Sequence, residues 1–116
     1  MLFRSFAVRD QLVQVFLNLI LNAIDATDKA GRIELHAWLD GGAIAVAVHD
    51  NGSGIPAEQA RKLFQPYFTT KKHGTGLGLF VTRKLVAEHG GDVSFQSTPD
   101  GGTVFEVRLP LRPLAA

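Results

Sequence analysis

Apolar residues recur at helical spacing across residues 10–30, most densely in "VFLNLILNAIDA" at 15–26. The pattern predicts a first helix with Asp10 as its N-cap and Gly31 as its stop. The period then changes to two. "RIELHAWLD" and "AIAVAVHD" alternate, are rich in β-branched residues and flank Gly41-Gly42, which predicts a β-hairpin. "NGSGIP" suits no regular element, "AEQARKLF" predicts a short helix after Pro56, and "QPYFTTKKHGTG" reads as a polar, glycine-punctuated loop. "LGLFVTRKLVAEHG" is again helical, closed by Gly90-Gly91. "DVSFQSTP" and "GTVFEVRLP" alternate around the turn "PDGG" as a second hairpin. Paired strands with helices between them predict an α+β fold: a two-layer α/β sandwich with a mixed sheet and helices on one face.

A chain of 116 residues is expected to form one domain. With 46% hydrophobic and 20% charged residues it is neither disordered nor membrane-like in composition, and no apolar run reaches the ~18 residues of a membrane span. A net charge of +1 provides no global field for nucleic acid or an anionic membrane; Lys71, Lys72 and His73 concentrate positive charge only locally. The absence of cysteine excludes disulfides and thiolate metal sites. The start "MLFRSFAVRD" lacks the apolar block and cleavage site of a signal peptide. It looks like a chain entered partway, and a cytoplasmic location is expected.

Asn18 and Asn22 are four apart and therefore stack on one face of the first helix. A buried amide without a partner costs roughly 1–3 kcal/mol, so something must compensate. An amide oxygen suits Mg²⁺, which takes hard oxygen ligands and often only one or two from the protein. A satisfied polar pair or a solvent-facing one fits the pattern as well. "DNGSGIP" offers the carboxylate of Asp50 at a strand end, with Gly52 and Gly54 allowing a flat ligand near the backbone. A carboxylate only accepts hydrogen bonds, which suits adenine's amino group and opposes guanine's carbonyl. An Asp capping a tight turn would look the same. "GTGLGL" opens a helix whose free N–H groups and positive dipole end can hold phosphate. It is neither a Walker A loop nor a dinucleotide fingerprint, and glycine-rich turns are common.

Taken in order, the amides on a helix, Asp-x-Gly-x-Gly after a strand, the aromatic "FQPYFTT" and Gly-x-Gly-x-Gly before a helix resemble the N, G1, F and G2 boxes of the ATP-binding catalytic domain of sensor histidine kinases. That domain belongs to a wider ATPase superfamily that includes DNA gyrase, a heat-shock chaperone and mismatch-repair proteins. The resemblance spans residues 10–110 and implies the Bergerat fold. The short lid "TTKKHGTG" is similar to that of nitrogen-regulator kinases.

The resemblance implies a role for each matching residue. Asn22 would ligate Mg²⁺ and Asn18 would lie near the phosphates. Asp50 would recognise the adenine amine, with Gly52, Gly54 and Ile55 around the base. Phe64, Pro66 and Phe68 match the aromatic box at the base of the lid. Gly74, Thr75, Gly76, Leu77 and Gly78 match the phosphate loop, and Thr103 resembles a threonine beneath the adenine. Lys71 is similar to a lid lysine that reaches the terminal phosphate, although Lys72 stands beside it.

The implied function is to bind Mg·ATP and position its γ-phosphoryl group for transfer to a histidine, as the catalytic domain of a protein-histidine kinase in two-component signalling. Related ATPases carry a water-activating glutamate where Asn18 stands, and an amide cannot take that proton near neutral pH. Slow hydrolysis is therefore expected. His36, His73 and His89 are not followed by the acidic residue that begins the acceptor motif, and His49, which precedes Asp50, lies in a strand pattern and not on a preceding helical hairpin. The acceptor and dimerisation helices are expected upstream in a longer parent, membrane-anchored or not, with a response regulator downstream and the isolated domain monomeric. Two alternatives are a noncatalytic ATP-switched interaction module and a protein-serine kinase of the anti-sigma type.

Overall fold

A computed structural model of the chain describes residues 2–27, 30–66, 78–98 and 101–111, with side chains described from residue 9 onward. The first element, helix α1, runs Leu2–Ala26. Its inward face is Val15, Leu19 and Ala23, all at least 98% buried and spaced four apart as one stripe of a helix requires. The helix starts eight residues before the expected N-cap, so Asp10 is an exposed residue inside it. No glycine or proline interrupts residues 2–10, and a good capping residue does not stop a helix that neighbouring residues continue. It also ends earlier than Gly31. The Thr27 hydroxyl donates to the Ala23 carbonyl oxygen (3.1 Å), while the Ala26 carbonyl oxygen accepts from the Ser53 N–H (3.2 Å).

Strands β1 (Ile33–Asp40) and β2 (Ala43–Asp50) form the first hairpin, and Gly41 adopts φ +62° at its turn, the left-handed region that two-residue hairpins demand. Helix α2 is confined to Ala57–Ala60, shorter than "AEQARKLF" suggests. The chain beyond it tightens into turns, with the Lys62 N–H bonded to the Gln59 carbonyl and Gln65 to Lys62. Helix α3 (Gly78–Glu88) stops as expected at Gly90-Gly91. Gly90 takes φ +76°, its N–H donates to the Ala87 carbonyl, and the Gly91 N–H reaches back to Val86, both at 3.0 Å. Strands β3 (Asp92–Ser97) and β4 (Thr103–Pro110) make the second hairpin.

The strand order is β1-β2-β4-β3, and every neighbouring pair is antiparallel. This corrects the expected mixed sheet. β2 and β3 do run in the same direction, since each is antiparallel to β4. However, β4 folds back between them, so no parallel pair forms among the described residues. Alternate residues of the strands, among them Val48, Phe105, Val107 and Val93, join Val15, Leu19, Leu63 and Val86 in one core beneath the helices. Phe95 and Phe64 flank Phe105 at ring-centre distances of 5.5 and 6.3 Å. The α+β two-layer architecture is thus as the hydrophobic pattern predicts. No helix among the described residues is long and apolar enough to cross a membrane.

Candidate functional site

The sheet register sets the first half of the site. Asp50 closes β2 opposite Thr103, the first residue of β4. Both are about 1% exposed. The Asp50 Oδ1 atom accepts from the Gly52 N–H (2.9 Å) and from the Thr103 hydroxyl (3.4 Å). Its Oδ2 accepts no hydrogen bond among the described residues. A buried carboxylate therefore has one oxygen fixed by the protein and one without a hydrogen-bond partner among the described residues.

Glycines let three backbone segments close around that carboxylate. A Cβ added to Gly52 would collide with the Ala26 carbonyl oxygen at the end of α1, and one added to Gly102 would collide with the Asp50 carbonyl oxygen. Gly54 holds φ +74° with its own face against the Gly101 carbonyl. Only residues without a side chain fit there. Asn51, which sequence reasoning passed over, turns the other way: its Oδ1 accepts from the Arg32 N–H (2.6 Å) and its N–H donates to the Arg32 carbonyl (3.2 Å). An asparagine directly after a strand-ending aspartate was the available signal, because short amides bind backbone locally.

The second half lies on α1. Asn18 is part-buried, and its amide nitrogen donates to the Gly78 carbonyl oxygen (3.2 Å) and the Thr82 hydroxyl (3.3 Å) at the start of α3. Its Oδ1 accepts from Gln14 (3.1 Å). This partly answers why the core helix carries amides, since one of the two joins α1 to α3. Asn22 is half-buried, one turn further along, and its side chain makes no hydrogen bond among the described residues. Neither Thr82 nor Gln14 was singled out from sequence. Thr82 sits four residues after Gly78, on the face of α3 that also carries the buried Val86.

The aromatic residues are divided. Phe64 is half-buried, edge-on to Phe105, with the Arg83 guanidinium 5.4 Å from its ring centre, so much of its surface serves the core. Ile55 also packs against the core, and its carbonyl oxygen takes a long bond (3.5 Å) from the Ser97 hydroxyl. Pro66 is exposed. A Cβ at Gly78 would meet no described atom, unlike those at Gly52 and Gly102. Phe68, Lys71, Gly74, Thr75, Gly76 and Leu77 lie outside the described residues, as do Lys72 and His73.

His36 stands on β1 with its Nε2 3.2 Å from Glu34, and His89 binds the Leu85 carbonyl oxygen through Nδ1 (2.7 Å) at the end of α3. No group of three or more His, Cys, Asp or Glu that could hold a metal ion occurs among the described residues.

Known proteins resemble this chain in sequence and in fold. The family model described as histidine kinase-, DNA gyrase B-, and HSP90-like ATPase matches residues 7–113. The sensor histidine kinase ZraS of Escherichia coli K12 is 45% identical over 102 residues, covering 88% of this chain and 22% of that protein. The sensory histidine kinase/phosphatase NtrB of Rhodobacter capsulatus is 41% identical, covering 90% and 33%. The chain thus spans about a fifth to a third of the length of these relatives. The solved catalytic domain of the histidine kinase ThkA superimposes with a TM-score of 0.82 at 40% identity, covering 90% of this chain and 70% of that one.

Proposed function

We propose, because this chain belongs to the histidine kinase-, DNA gyrase B- and HSP90-like ATPase family, that it binds Mg·ATP and presents the γ-phosphoryl group to a histidine on a separate helical phosphoacceptor domain. The observation that carries this reading is Asp50. A buried carboxylate with Oδ1 fixed and Oδ2 unpartnered among the described residues is an acceptor suited to adenine's amino group, and it opposes guanine's carbonyl. Thr103 and Gly52 hold that carboxylate in orientation, and the glycines at 52, 54 and 102 let the surrounding backbone pack closely about it.

From Ala26, beside Gly52, the amide face of α1 leads back through Asn22 to Asn18, which touches the first residue of α3. Ala26 lies eight positions beyond Asn18, ~12 Å along the helix axis. That spacing suits one extended nucleotide with its base at Asp50 and its phosphates at the positive end of α3. Gly74, Thr75, Gly76 and Leu77 would extend the phosphate cradle from Gly78, and Phe68 and Lys71 would belong to the lid.

The donor chemistry fits magnesium. Asn22 offers a neutral hard oxygen with no competing partner among the described residues, which suits a cation that arrives with phosphates and keeps most of its waters. When bound, Mg²⁺ would neutralise charge on the transferring phosphoryl group. The chain's own contribution is orientation of the nucleotide and exclusion of competing chemistry. Asn18 has its amide nitrogen committed to α3 and cannot accept a proton, so water is not activated from that position. The phosphoryl group is held for an outside acceptor.

In this reading residues 1–116 form the catalytic and ATP-binding domain of a longer kinase whose acceptor helices lie outside them. It works in the cytoplasm with a response regulator downstream, whether or not the parent is anchored in a membrane. Thermal shifts with ATP, ADP and GTP, with and without Mg²⁺, test the binding. Labelled ATP with an added acceptor-helix domain from a similar kinase tests the transfer. Stabilisation by ATP but not GTP, with label appearing on the acceptor histidine, is expected. Equal response to GTP would overturn the role of Asp50, and binding without transfer would overturn the kinase reading.

A further inference from the structure

Thr82 is a polar residue with no solvent exposure at all, lying in the α1–α3 interface beside Val86. Its hydroxyl donates to the Gly78 carbonyl oxygen (2.8 Å), so its lone pairs remain to accept from the Asn18 amide nitrogen (3.3 Å). The same nitrogen also donates to Gly78 (3.2 Å), while Gln14 donates to the Asn18 oxygen (3.1 Å). Every polar atom in this set faces a partner of opposite character. Were the Asn18 amide flipped, its oxygen would face the Gly78 carbonyl and its nitrogen the Gln14 amide nitrogen. Valine has nearly the shape of threonine, so filling the core does not explain the hydroxyl.

We propose that Thr82 is a positioning residue for the phosphate end of the nucleotide groove: through its hydroxyl it fixes the orientation of the Asn18 amide and holds the first turn of α3 at a set distance from α1. The inference rests on the Mg·ATP reading above and adds to it a residue that touches no ligand. Gln14 completes the relay from the exposed side. The adenine end, built around Asp50 and Thr103, shares none of these bonds. Loss of the Thr82 hydroxyl therefore separates the two ends of the groove.

The test uses the 116-residue chain and its Thr82→Val, Thr82→Ser, Asn18→Ala and Thr82→Val/Asn18→Ala variants. Each is titrated with Mg·ATP by calorimetry and with adenosine by ligand-observed NMR, and a melting curve establishes that each is folded. Thr82→Val should bind Mg·ATP about tenfold more weakly, the effect of one net hydrogen bond, with adenosine binding unchanged. Thr82→Ser should restore Mg·ATP affinity, and in the Asn18→Ala background the valine substitution should have little further effect. Should the valine variant not fold, Thr82→Ala against Thr82→Ser gives the same comparison. Equal weakening of both ligands, unchanged Mg·ATP binding, or effects that simply add with Asn18→Ala would overturn the proposal while leaving the nucleotide site standing. Failure of the unaltered chain to bind any nucleotide would overturn the site reading and this proposal with it.

Discussion

Thr103 and Asp50 are register partners across the β2–β4 ladder, and the threonine hydroxyl donates to the aspartate Oδ1, the same atom that accepts the Gly52 N–H. This makes Asp50 a structural acceptor as well as the proposed base-recognition group. Replacing it with alanine leaves an N–H and a hydroxyl without their partner, at a cost of about 1–3 kcal/mol. Asp50→Ala should therefore lose both ATP binding and part of its stability. Asp50→Asn, with its oxygen kept toward Gly52, should melt nearly as the unaltered chain while losing preference for ATP over GTP. Urea unfolding combined with nucleotide titration separates the two effects.

The glycines differ in what they permit. Gly102→Ala drives a methyl group into the Asp50 carbonyl, and Gly52→Ala into that of Ala26. Each should lower the unfolding free energy by about 1–3 kcal/mol, the usual effect of an overpacked site. Gly78→Ala meets no described atom and should change stability far less. Urea midpoints for the three variants are the check, and a Gly52→Ala midpoint equal to that of Gly78→Ala would contradict the packing described.

Asn22 carries the magnesium assignment. Asn22→Ala should weaken ATP binding in the presence of Mg²⁺ several-fold and leave binding in EDTA nearly unchanged. It removes a side chain with no hydrogen-bond partner among the described residues, so the melting temperature of the free chain should barely move. Calorimetric titration with and without the metal reads both. Equal losses in the two conditions would remove Asn22 from the metal site.

Phe64 tests how far the aromatic box belongs to the core. Its ring is half-buried against Phe105 and beneath Arg83, so Phe64→Ala should destabilise the free chain by about 1–3 kcal/mol, below the 3–5 typical of a fully enclosed phenylalanine. A neutral effect on thermal unfolding would assign the ring to the ligand instead.

Some of this was legible in the sequence because the physics is local. Gly41-Gly42 and Gly90-Gly91 each mark a backbone that must turn left-handed, and both end their elements where expected. The strand end at Asp50 was legible from the glycine-broken turn that follows, and the turn-capping role left open for it is present, since its Oδ1 accepts from the Gly52 N–H. What was hidden depends on distant partners. The insertion of β4 between β2 and β3 is set by pairing across more than fifty residues of chain, and strand periodicity says nothing of neighbour order. Thr82 reads as an ordinary helix residue until Asn18, 64 positions earlier, is brought against it. The true start of α1 was missed because Asp10 has the chemistry of a cap and no local feature cancelled it.

The glycine-lined junction of Ala26, Asp50 and Gly102 joins pieces of chain that are up to 76 positions apart, with no flexible side chain between them to absorb misfit. Such a junction exists only once both hairpins and the first helix have docked, so under the proposed function a half-assembled chain offers a purine nothing to hold. Ligand capture is then a report on completed folding, and a saturating nucleotide at a hundred times its dissociation constant would favour the finished form by about 2.7 kcal/mol.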